Sequence, residues 1–182
     1  MDSKIDISGG NNIIAPNATH VTQNIYYSSP VSTDARHTSD EATVINLMRY
    51  MNVLLMDIYF EHGPARIDKK VIAIHDSWNR IMSSSSFVIY DNELREKVSG
   101  FFTAWHAMVT LGAVHYFCSN NGVDFVFGDG GGAEFDMFKN REEERCFGEL
   151  MERWHPLFLL FTSMMDCIKQ RYVIDFSDVV IK

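Results

Sequence analysis

The chain is short of cysteine, proline and basic charge, and it contains no long uninterrupted apolar run. Its three cysteines, Cys118, Cys146 and Cys167, are odd in number, far apart and outside any CxxC or Cys/His spacing. That pattern excludes a disulfide framework and a zinc knuckle, and it predicts reduced, buried thiols in a cytoplasmic setting. The most apolar stretch, residues 154–165, is interrupted by His155, Pro156, Thr162 and Ser163. It falls short of the roughly 20 residues a membrane-spanning helix requires, so it reads as buried helix. The start, Met1 to Asp6, has neither the basic residues nor the apolar stretch of a signal peptide, so Asn17-Ala18-Thr19 is not expected to carry a glycan. With Lys and Arg totalling 16 against 24 Asp and Glu, the net charge is −8. That balance disfavours a phosphate-backbone binder, and no direct nucleic-acid binding is expected. It suits a protein partner with a basic surface, and equally a chain whose acidity serves solubility alone. No period of 20 to 50 residues repeats.

What is present is core-forming material: 46% of the 182 residues are hydrophobic and 13% aromatic. The patterning predicts a mainly α protein, a bundle of four long helices over residues 34–182. A short β-like arm and linker, residues 1–33, precedes it. In the arm, Ile5, Ile7, Ile13, Ile14, Val21, Ile25, Tyr26 and Tyr27 are strand formers separated by Ser8-Gly9-Gly10-Asn11-Asn12 and Pro16-Asn17, both turn chemistry. Ile7 through Ile14 and Asn17 through Tyr26 resemble the Asn/Gly/Ile/Thr-rich segments that precede unrelated domains in some bacterial and phage proteins, where they form rungs of a β-solenoid or an intertwined β-stack. The resemblance covers about 20 residues and implies self-association through Ile13, Ile14, Val21, Ile25 and Tyr26, not an activity. Read from composition alone, the same stretch is equally a β-hairpin or an unpaired arm.

Ser28 to Asp34 reads as a linker. Thr38 with Glu41 three residues later fits a capping box, opening a first helix that runs to His62 and stops at Gly63-Pro64. Its apolar stripe is Val44, Met48, Met51, Leu55 and Ile58. A second helix starts near Ile67 or Asp68, carries Val71, Ile74, Trp78, Ile81 and Met82, and ends at the serines 83–86. Asp91 caps a third, with Leu94, Val98, Phe101, Trp105, Met108, Gly112 and His115 on one face, ending near residues 119–122. Val123 to Phe127 alternates like a strand. A fourth helix runs from Phe135 or Asn140 to Tyr172, with Phe147, Leu150, Trp154, Leu157, Phe161, Met164 and Ile168 inward and a kink expected at Pro156. Val173 to Ile181 can add a strand.

No catalytic motif emerges, and no cofactor is called for. Gly128-Asp129-Gly130-Gly131-Gly132 lacks the Lys-Ser/Thr of a phosphate loop and is followed by Glu134 and Asp136. Those two acids, with Asp129, Glu142, Glu143 and Glu144, form a candidate docking patch for a basic partner, although acids at 142–144 also suit a helix N-terminus. Glu152 and His155 have the E-x-x-H spacing of bundle metal sites, with Glu149 nearby, but no second copy exists to complete a di-metal centre. His115 falls on the apolar stripe as a core histidine, within reach of Cys118 three residues on. The adjacent pairs Glu61-His62 and His75-Asp76 are not expected to share a helix face. Two function classes follow. One is a non-enzymatic, oligomerising interaction protein, in the sharper version a bacterial or phage accessory protein acting as adaptor or inhibitor in defence or counter-defence. The other is a helical-bundle enzyme or metal-binding protein using Glu149, Glu152 and His155 with His62, His75, His106 or Asp166.

Overall fold

The computed structural model describes residues 32–128 and 138–172, all within the second of the two units into which the chain divides, Ser32–Lys182. The expected arm, the Gly-rich loop at 129–132 and the strand after Tyr172 lie outside the described residues. The fold is mainly α with a small sheet. Five α-helices are described: α1 Thr33–Met48, α2 Val53–His62, α3 Lys69–Met82, α4 Asn92–Gly112 and α5 Arg141–Arg171. Three short strands, β1 Arg66–Asp68, β2 Tyr116–Cys118 and β3 Asp124–Phe127, form an antiparallel sheet ordered β1-β3-β2.

The first expected helix is two helices. α1 begins five residues before Thr38, because the Ser32 hydroxyl accepts from Ala35 N at 3.1 Å and supplies the cap. Thr38 sits inside α1 and its hydroxyl donates to Asp34 O instead. The helix closes through Arg49 N to Ile45 O and Met51 N to Met48 O, and Asn52 then caps α2 by accepting from Leu55 N at 2.9 Å. This break re-aims the apolar stripe. Val44, Met48 and Met51 are buried as expected, but on α2 the buried positions are Met56 and Tyr59, while Ile58 is exposed.

α3 and α4 begin at the caps the sequence offers, Asp68 accepting from Lys70 N and Asp91 from Leu94 N. Leu94, Val98, Phe101, Trp105, Met108 and Gly112 are buried as one face. α4 stops at Gly112 rather than near Ser119. The chain turns back there, His115 N donating to Gly112 O, and enters β2. A Cβ at residue 112 would lie 2.4 Å from Tyr116 Cε2, and the Tyr116 hydroxyl is tied to Pro64 O at 2.6 Å. Gly112→Ala is therefore expected to lower unfolding free energy by about 1–3 kcal/mol, the usual range for overpacking. An unchanged denaturation midpoint would contradict this.

β3 is the expected strand, but β1 and β2 replace residues read as helix or helix start. The early turn also revises two site expectations. His115 is half-buried against Phe127 beyond the helix end, and Cys118 is exposed on an outer strand, its thiol directed to Ser119 O. Cys146 and Cys167 are buried and unpaired, as predicted.

α5 starts at Asn140, whose side chain accepts from Glu142 N and Glu143 N, and runs without interruption through Pro156. Its inward face is the predicted one, with Leu150, Trp154, Leu157, Phe161, Met164 and Ile168 buried and Phe147 half-buried. α5 packs most extensively on α4. Arg171 near its end pairs with Asp91 and Glu93 at the start of α4, and Lys97 donates to Ser163 at 2.7 Å. Tyr59 lies edge-on to Trp154, and Phe101 meets Phe161 with ring centroids 5.4 Å apart, so aromatic rings link α5 to both α2 and α4. The buried acid Asp40, 2% exposed, accepts from Tyr90 N and Asp91 N and fixes the approach to α4. Among the described residues, no helix is long and apolar enough to cross a membrane.

Candidate functional site

α5 carries apolar side chains on two faces, and only one is used by the core. Outward lie Met151 (51% exposed), Phe158 (38%) and Leu159 (54%), with His155 between them. At 100° per residue, Glu144, Met151, His155, Phe158, Thr162 and Lys169 fall within an arc of about 60°. Successive steps of seven, four, three, four and seven residues separate them. That spacing is a heptad seam, with Gly148, His155, Thr162 and Lys169 at one position and Glu144, Met151, Phe158 and Met165 at the other. Glu144 and Lys169 are exposed at opposite ends, Thr162 is half-buried, and Met165 turns into the core.

Of the six acidic docking residues, Glu142, Glu143 and Glu144 are described. Asp129, Glu134 and Asp136 lie outside the described residues. Glu142 and Glu144 are exposed in the first turn of α5, but Glu143 is buried and its carboxylate accepts from Lys139 N at 2.7 Å. Asp124, a further acid in β3, is buried against β1, where the Arg66 guanidinium and the Asn121 amide hold its carboxyl below the usual carboxylate range.

Compared with known proteins, the chain matches no family model, no curated protein and no solved structure. The geometry of its own residues therefore carries the functional reading.

The E-x-x-H residues do not converge. Glu149 pairs with Arg153 at 3.8 Å, and Glu149, Glu152 and His155 are spread over about 120° of the helix surface. Among the described residues, no group of three or more His, Cys, Asp or Glu is placed to hold a metal ion. A hollow of about 300 Å³ between α2, β1 and the 121–124 turn is lined by Leu55, Ile58, His62, Arg66 and Asp124. The Tyr59 hydroxyl beside it is kept protonated by burial, its pKa raised far above the ordinary phenol value.

Sequence reasoning missed one constellation. His75, on the buried face of α3, brings its Nε2 to 3.1 Å from His106 Nδ1 on α4. Its other nitrogen, Nδ1, lies 3.3 Å from Asp76 Oδ1, so the adjacent residues His75 and Asp76 interact despite the helical offset. His75 packs against Phe102 and edge-on to Trp105. Burial holds its pKa below the ordinary histidine value, against the opposing pull of Asp76. An ionised carboxylate only accepts hydrogen bonds, so Asp76 selects the tautomer with the proton on Nδ1 of His75. Nε2 of His75 then presents a lone pair toward His106, which is exposed. The residues are 31 apart, and only the packing of α3 on α4 joins them; the stripe read from the sequence named Val71, Ile74 and Trp78 but not His75, and no local pattern names its neighbour.

Proposed function

We propose that this chain is a non-enzymatic interaction protein that associates with a second copy of itself through the outer face of α5. One observation carries the reading: a two-faced apolar helix whose unpartnered face follows a heptad spacing symmetric about its own midpoint. In an antiparallel pair of such helices each position of one kind meets the other kind across the seam. Here His155 faces Phe158 of the second copy, Met151 faces Thr162, and Glu144 faces Lys169. The same contacts repeat on both sides of the two-fold axis, which makes the surface self-complementary. Gly148 removes bulk where the helices approach. The resemblance of residues 7–26 to self-associating β-stack segments supports oligomerisation independently, and the exposed acid Glu142 remains outside the seam where a basic partner can dock.

The register is tested with charge exchange on the full-length chain, reading mass against concentration by light scattering at low salt. Glu144→Lys and Lys169→Glu each place like charges opposite one another and are expected to weaken association several-fold. The two together restore it. Equal affinity in both single variants and the wild type, or a double variant weaker than either single one, overturns the register.

A further inference from the structure

We infer that His75 and His106 form a binding site for a late first-row divalent cation such as Zn²⁺ at the α3–α4 junction. The two ring nitrogens stand 3.1 Å apart. A cation about 2.05 Å from each, the usual Zn–N(His) length, subtends an angle of about 98° between them. That lies between the octahedral and tetrahedral values of about 90° and about 109°, so both imidazoles can bind one ion as neighbouring ligands. The supporting group is in place as well. A metal-bound histidine characteristically donates its second ring N–H to a carboxylate, which fixes the tautomer and raises ligand basicity, and Asp76 stands at that position for His75. Imidazole ligands favour zinc, copper and nickel over magnesium and calcium.

The environment suits the role. His75 is 4% exposed and locked between Phe102 and Trp105, so one ligand is immobile before the ion arrives. His106 is exposed and gives the ion a route from solvent. To bind, the proton on His106 Nδ1 moves to Nε2, and the hydrogen bond between the rings gives way to two N–metal bonds. With two protein ligands the remaining positions belong to water, which makes this an open site rather than a closed structural one. It is separate from the α5 seam and does not depend on self-association.

The test is calorimetric titration of Zn²⁺ into the full-length chain carrying Cys118→Ser, which removes the exposed thiol as a competing ligand. The expected result is one equivalent bound, with affinity falling at least tenfold in His106→Ala and about tenfold or more in Asp76→Asn. His37→Ala, at an exposed histidine outside both sites, leaves it unchanged. Cu²⁺ provides a second reading, because an ion on His75 lies close to the Trp105 ring, centred 5.2 Å from the imidazole, and quenches its emission. His106 is exposed, so its replacement does not threaten the fold. Undiminished Zn²⁺ uptake in His106→Ala, or no stoichiometric uptake by the starting protein, overturns the proposal.

Discussion

Phe158→Asp is expected to abolish self-association of the full-length chain through α5 while leaving a cooperative fold. Phe158 contributes to both, but unequally. Within one copy it is 38% exposed and touches Phe60 edge-on, with ring centroids 5.3 Å apart. Losing that contact costs the fold about 1 kcal/mol. In the antiparallel seam each Phe158 sits against His155 of the second copy, close to the symmetry axis, so the change acts twice. Burying a phenyl ring contributes about 1.5–3 kcal/mol, and a carboxylate in its place must be desolvated. Two such losses exceed about 3 kcal/mol, which weakens association by at least about 100-fold. Light scattering should then report a smaller particle at concentrations where the wild type is associated, and circular dichroism should report unchanged helix content. An unchanged mass would show that α5 is not the contact, and would leave residues 1–31 as the element to examine.

Trp78→Ala is expected to produce the largest loss of stability, about 3–5 kcal/mol. The side chain is fully buried and its indole N–H donates to Leu47 O at 3.1 Å. Its ring meets Phe101 at 5.8 Å and Trp105 at 6.4 Å, so it joins α3 to both α1 and α4. Truncation removes the hydrogen bond, the edge-to-face contacts and the largest volume in that layer, and the surrounding rings cannot collapse to fill it. Against a total of about 5–15 kcal/mol for a natural domain, such a loss leaves a marginal fold. Urea titration gives the magnitude. Trp78→Phe, which keeps most of the ring, should retain more than half of the stability that Trp78→Ala loses; equal losses would place the effect in the hydrogen bond to Leu47.

The candidate metal pair shows how far sequence reading extends. His75 lies on the buried face of α3 with Val71, Ile74 and Trp78, and of these the period named all but His75. His106 is on the exposed side of α4, where a lone histidine carries no signal. Their meeting depends on the rotation of α4 about its axis and on its height against α3, and no local property of either helix encodes these. Asp40 teaches the same lesson inside the core. Its burial is stabilised by the amides of Tyr90 and Asp91, 50 residues away, so nothing near it in the chain marks it as an interior acid.

The sequence by itself determined the helix starts near Asp68, at the Asp91 cap and near Asn140, the strand before Gly128, and the inward faces of α4 and α5. Each of these depends on residues within a few positions of one another, through capping, turn formation and the 3.6-residue period. Tertiary structure decided where a local preference met a competing contact. The Tyr116 ring packs against Gly112 at the end of α4, and β3 pairs with two short strands from residues whose own pattern did not demand them, whereas the Asn52 cap that splits the first helix is local. It also left a second apolar face of α5, through Met151, Phe158 and Leu159, exposed; the inward stripe follows from the 3.6-residue period, but whether anything else covers the opposite face depends on how the other helices are placed around α5.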